Sequence, residues 1–237
     1  MTLYVLSDPL AVAQKGASFF KEQYEVAVQD RGRFIVGLSG GSTPLLMYRE
    51  LLLDAEIDWR KVWVTFTDDR FVPLDDPQSN ERAARDGLLN HVRIPATQII
   101  NLVRTDNPDL SAKLVETDLK KEFGEEPVLD LAFLGLGEDG HTASLFPGDP
   151  SVHVYDHDIV VSHAPVNAPI RITMTPPILN RARRTVFLVT GVGKADAAWR
   201  CLEGPANVDE TPSQAIARFA WRAEMAIDEA AANRLNH

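Results

Sequence analysis

Arg33-Phe34-Ile35-Val36-Gly37-Leu38-Ser39-Gly40-Gly41-Ser42-Thr43-Pro44 decides the fold class of this 237-residue chain. A short apolar, β-branched run passes straight into paired glycines and then into Ser-Thr-Pro, which opens a helix. The order is strand, tight turn, helix. Ser42 and Thr43 offer hydroxyls to cap the helix, and Pro44 suits a first turn in which the missing N–H costs little. Similar apolar runs recur at residues 62–66, 129–134 and 185–190, and amphipathic segments are predicted at 10–29, 43–54, 79–92, 110–123, 175–183 and 194–202. Ser79 is expected to cap the third of these helices, and Asp228 a last one ending near Leu235, after a short strand at 223–227. Strands that alternate with helices predict an α/β fold, a mostly parallel sheet covered by helices on both faces.

Composition narrows the function. The formal net charge is −10, which repels a nucleic-acid backbone or an anionic membrane surface at long range. No apolar run is long enough to span a bilayer, and the first eight residues lack the pattern of a signal peptide. With a single cysteine, Cys201, no intramolecular disulfide is available, so a cytoplasmic setting is expected. That cysteine reads as a small apolar helix residue. There is no internal repeat and no Gly/Ser linker, so residues 1–237 read as one domain. The 147–158 stretch reads as a surface connection. His153, His157 and His163 lie in a predicted loop without a supporting ligand pattern, so no metal is assigned to them.

Three loops that follow strands carry the chemistry. Gly40, Gly41, Ser42 and Thr43 provide close backbone approach, hydroxyls and a helix start, which together suit a phosphate. A lone Gly-Gly-Ser also fits an ordinary βα turn, and the loop is neither a P-loop nor a G-x-G-x-x-G dinucleotide turn. Thr67-Asp68-Asp69-Arg70-Phe71-Val72-Pro73 sets two acids beside an arginine, either a carboxylate with an anion clamp or a self-neutralised polar turn. Gly135-Leu136-Gly137-Glu138-Asp139-Gly140-His141 turns sharply enough for Asp139 to orient the His141 imidazole as a general base. Asp-Gly is equally a common turn dipeptide. Arg171 and Lys194 are further cations placed for an anion, although most such side chains are solvated surface charge.

Taken together and in this order, the motifs closely resemble the 6-phosphogluconolactonase family, related to glucosamine-6-phosphate deaminases. The resemblance covers nearly the whole chain. It runs through Ser39 to Pro44, Asp68 to Pro73, Ser79-Asn80, Gly135 to Gly148, Arg171 to Thr175 and Gly193-Lys194. It implies a modified Rossmann-like sheet, no cofactor, and a phosphosugar lactone as the partner, with the chain a monomer or homodimer. His141 then resembles the base and Asp139 its orienting partner. Gly40, Gly41, Ser42, Thr43, Asp68, Arg70, Arg171 and Lys194 resemble the substrate- and phosphate-binding set. The implied reaction is hydrolysis of 6-phospho-D-glucono-1,5-lactone to 6-phosphogluconate, a step of the oxidative pentose phosphate route. One position departs from the pattern: the family usually reads Asp-Glu-Arg where Asp68-Asp69-Arg70 stands. Deaminases usually read Asp-Glu-Tyr there, and Asn-Glu-Pro where this chain has Ser144-Leu145-Phe146-Pro147. A noncatalytic sugar-phosphate sensor is the reading from another class, and retention of both Asp139 and His141 speaks against it.

Overall fold

The structure is a computed structural model that describes residues 1–165 and 169–236. Its first half runs β1 (Thr2–Leu6), α1 (Pro9–Arg31), β2 (Phe34–Leu38), α2 (Ser42–Leu52), β3 (Val62–Phe66), β4 (Asp68–Arg70), α3 (Asn80–Gly87), β5 (Ile99–Ile100) and α4 (Pro108–Phe123). The second half runs β6 (Leu131–Leu134), β7 (Ile159–His163), β8 (Ile170–Met174), α5 (Pro176–Asn180), β9 (Thr185–Val189), α6 (Ala195–Leu202), α7 (Gln214–Ala217), β10 (Ala223–Asp228) and α8 (Glu229–Ala232). Seven strands form a parallel sheet in the order β1-β10-β9-β6-β2-β3-β5. A separate antiparallel sheet joins β4, β8 and β7.

Every position of β2, β6, β9 and β10 is buried. Successive side chains point to opposite faces of a strand, so burial at both parities requires cover on both sides of the sheet. On one side α1 supplies Phe19 and Phe20, which are fully buried. The Phe20 and Phe34 rings meet edge-to-face at 4.9 Å, a contact worth about 0.5–1.5 kcal/mol beyond the area it buries.

The sheet order positions the site. From β2 the chain crosses to β3 on one side, whereas from β6, the neighbour of β2, it eventually returns as β9 on the other. Connections that diverge from adjacent parallel strands leave a crevice beyond their carboxyl ends, the usual ligand position in such sheets.

Several local expectations change. Gly41, not a hydroxyl, caps α2, and no side-chain cap bond forms there. The Thr43 hydroxyl instead meets that of Thr190 at 2.7 Å. Ser79 does cap α3, accepting from the Arg82 amide at 3.1 Å. That helix stops at Gly87, followed by a separate short helical turn at Leu89–His91. Asp228 caps α8, which ends at Ala232 rather than near Leu235. β1, β5 and the whole antiparallel sheet are absent from the sequence reading.

Candidate active site

The loop after β2 forms one wall of the crevice. Gly41 has φ +105°, a conformation that side chains rarely adopt, and it starts α2 at the wall of the crevice. Gly40 is needed for a different reason. A Cβ at Gly40 would overlap the carboxamide of Asn80, so the absence of a side chain is what lets the two loops touch.

The loop after β3 supplies the second wall. Asp68 and Arg70 line the crevice, while Asp69, between them, turns inward. The Asp69 carboxylate accepts the amides of Arg70 at 2.7 Å, Asn80 at 2.7 Å and Glu81 at 3.0 Å, together with the Ser79 hydroxyl at 3.2 Å. It therefore ties the β4 turn to the first turn of α3. Burial pushes its pKa up to about 6 against those donors, with the Asp68 charge adding to the rise. Asn80 completes this wall: its Nδ2 donates to the Asp68 carbonyl at 2.9 Å, and its Oδ1 accepts from the Arg70 guanidinium. The first residue of α3 thus aims Arg70. In the sequence Asn80 stands out only as part of the Ser79-Asn80 motif, and its position depends on Gly40, forty residues earlier in the chain.

The third wall comes from the loop after β6. His141 Nδ1 lies 2.6 Å from Asp139 Oδ1, and the His141 amide donates to the same oxygen at 3.1 Å. With Nδ1–H donating to the carboxylate, Nε2 is left as the basic nitrogen. Burial raises the Asp139 carboxyl, but the bonds and charge of His141 outweigh it and hold the carboxyl below its ordinary range. The Phe146 ring packs on the imidazole at 4.7 Å. A Cβ at Gly137 would collide with both His141 and Asp139, so glycine leaves room for the pair. Beyond it, Ala143 has φ +47°, the sole non-glycine residue with positive φ among the described residues. The turn is fixed where the Ser144 amide donates to Thr173 Oγ1 at 3.1 Å and the Ser144 hydroxyl to Asp68 Oδ2 at 2.6 Å.

Lys194, at the head of α6, and Thr190, just after β9, close the crevice. The cavity measures about 300 Å³ and brings together Gly40, Gly41, Ser42, Thr43, Asp68, Arg70, His141 and Lys194. Asp139 stands behind His141 rather than in the wall. Arg171 does not line the cavity: it is buried on β8, in register with Arg70. Burial first, and then the charge of Arg70, lowers its pKa. Among the described residues neither Arg70 nor Lys194 has a carboxylate within ion-pair distance. Among the described residues, two cations without an ion-pair partner thus face a cavity that Asp68 also lines.

The remaining expectations lie elsewhere. His153 pairs with Asp209, His157 with Glu116, and His163 approaches Asp149, so the three histidines face three different acids. Cys201 is fully buried on α6, where burial pushes its thiol up to about 11. Among the described residues no helix is long and apolar enough to cross a membrane.

Comparison with known proteins matches the same span. The 6-phosphogluconolactonase of Nostoc sp. is 37% identical over 220 residues, covering 91% of this chain and 90% of that protein. The 6-phosphogluconolactonase of Homo sapiens is 35% identical over 216 residues, covering 86% and 82%. A solved 6-phosphogluconolactonase from Shewanella baltica superposes with a TM-score of 0.84 at 26% identity, covering 96% of this chain and 97% of that one. The sequence profile described as glucosamine-6-phosphate isomerases/6-phosphogluconolactonase matches residues 7–224, and the chain therefore belongs to that family.

Proposed function

We propose that this chain hydrolyses 6-phospho-D-glucono-1,5-lactone to 6-phosphogluconate, with His141 as the general base. The carrying observation is the Asp139–His141 pair, joined at 2.6 Å, on one wall of a cavity whose other walls present Arg70 and Lys194. A volume of about 300 Å³ lies at the small end of the range for ligand sites. It suits one phosphorylated monosaccharide.

His141 Nε2 removes a proton from water as the water oxygen attacks the lactone carbonyl. Negative charge develops on the carbonyl oxygen, where a positioned donor is typically worth about 3 to 4 kcal/mol. Collapse of the tetrahedral intermediate breaks the bond to the ring oxygen, which takes its proton from the His141 imidazolium. The base is regenerated and one water has been added. In this scheme Gly40, Gly41, Ser42 and Thr43 receive the phosphate with Arg70 and Lys194, Asp68 orients the sugar, and Arg171 acts from behind Arg70.

The second chemistry named by the family, on glucosamine 6-phosphate, is disfavoured at two places. Arg70 stands where deaminases usually carry Tyr, and Ser144-Leu145-Phe146-Pro147 replaces their Asn-Glu-Pro; here Ser144 and Phe146 brace the site rather than supply a second acid. The test is lactone hydrolysis, corrected for the spontaneous rate, alongside glucosamine 6-phosphate turnover by the same preparation. His141→Ala is expected to lower kcat about 10² to 10⁴-fold with 6-phosphogluconate binding retained. Wild-type turnover in the folded variant would remove His141 from the reaction.

A further inference from the structure

We infer that Arg200 is the positioning residue of the Asp139–His141 pair, an assignment that rests on the proposed role of His141. Arg200 lies in the last turn of α6, outside the cavity. Its guanidinium bonds two successive carbonyls of the loop after β6: Nη2 donates to Glu138 O at 2.7 Å, and Nη1 to Asp139 O at 3.1 Å. The same Nη1 reaches Thr211 Oγ1 at 3.3 Å, and Nε is held by Asp196 Oδ2 at 2.8 Å.

A planar fork held at its own base by a carboxylate is a rigid object. Here it grips the backbone of the residue whose side chain orients the imidazole. Gly140 tightens the arrangement. Its φ is +95°, and a Cβ there would meet Arg200 Nη1 at 3.0 Å and Thr211 Cα at 3.3 Å, so the turn lies directly against the guanidinium. The loop's other bonds, Gly137 N to His141 O at 2.8 Å, Gly140 N to Gly137 O at 3.0 Å and Ser213 N to Gly140 O at 3.0 Å, leave the Glu138 and Asp139 carbonyls to Arg200. Without the fork, two carbonyls lose their donor and the turn that carries Asp139 loses its tie to α6. Arg200 also lies on the helix that Lys194 caps, so one short element reaches from the anion-binding side to the loop that carries the base.

The test combines kinetics with the proton resonance of His141 Nδ1–H, whose hydrogen bond to Asp139 moves it far downfield. In Arg200→Ala, kcat for lactone hydrolysis is expected to fall roughly 10²-fold while KM changes little, because displacement by about 1 Å removes reactive geometry rather than ligand contacts. The downfield resonance should disappear. Arg200→Lys, one point donor in place of a fork, should fall between the two. If Arg200→Ala does not fold, Arg200→Lys and Arg200→Gln weaken the same contact and should show the same paired loss, smaller in size. Folded variants with wild-type kcat and an intact resonance would overturn the inference. So would a fall in kcat with the resonance unchanged. Failure of the base assignment is separately visible as an active His141→Ala, and the resonance then still decides whether Arg200 holds the pair.

Discussion

At the scale of single residues, the site divides into groups readable one at a time and groups that exist only through a partner. His141 and Asp139 stand two positions apart between glycines, so the sequence alone suggested that they meet. Arg70 and Lys194 follow strands and could be placed at the ligand edge without coordinates. Asn80 and Arg200 could not, because each acts on backbone or side chains far away in sequence, and neither spacing nor composition marks a contact of that kind. The cation pair gives a prediction at this scale. Arg70→Ala and Lys194→Ala are each expected to raise KM for the phosphorylated lactone, by about 1.5 to 3 kcal/mol of lost charge-assisted bonding. The penalty should shrink for the unphosphorylated lactone. A ratio between the two substrates that matches wild type in both variants would show that these side chains do not hold the phosphate.

Among the elements, the long apolar strands β2, β3, β6 and β9 were legible because burial on both faces leaves nothing but apolar and β-branched residues. β4 was not, since Asp68-Asp69-Arg70 looks like a polar turn; it is a strand because β8 pairs with it in register from Arg171 to Thr173. The same three residues show where the shortened acid points. The Asp69 side chain faces the start of α3 rather than the cavity, and its reach is set by the amides it accepts. Its native pKa of about 6 lies above the ordinary 3.8, so the native state binds this proton more tightly than the unfolded chain does. That contribution is complete below about pH 4 and is lost as the pH rises through about 6. Asp69→Asn cannot ionise, so its stability relative to wild type should improve between pH 4 and pH 7, by as much as about 3 kcal/mol. Denaturant titrations of both proteins at the two pH values measure this directly. A gap that does not change with pH would mean that Asp69 does not titrate in this window.

Across the whole molecule, the alternation of strands and helices announced a parallel sheet, but its order was beyond sequence reasoning because every pairing joins distant segments. The cavity itself is assembled from the ends of β2, β3, β6 and β9, so its contents are fixed only when all four are in place. For the proposed hydrolysis the lactone is already an activated ester, which a positioned base with an oxyanion donor can open. Activity should therefore survive exhaustive EDTA treatment without added nucleotide or flavin, and loss of turnover restored by one equivalent of zinc would refute this. The sheet order also governs how the chain is made. β1 pairs with β10 alone, Thr2 opposite Glu224 and Leu6 opposite Asp228. During synthesis at about 5–20 residues per second, the first strand emerges roughly ten to forty-five seconds before its partner exists. Until then β9 also lacks its β10 neighbour and presents an unpaired, mostly apolar edge, the kind that recruits other chains. A nascent chain stalled before Ala223 thus exposes that edge, which a ribosome-bound chaperone could cover.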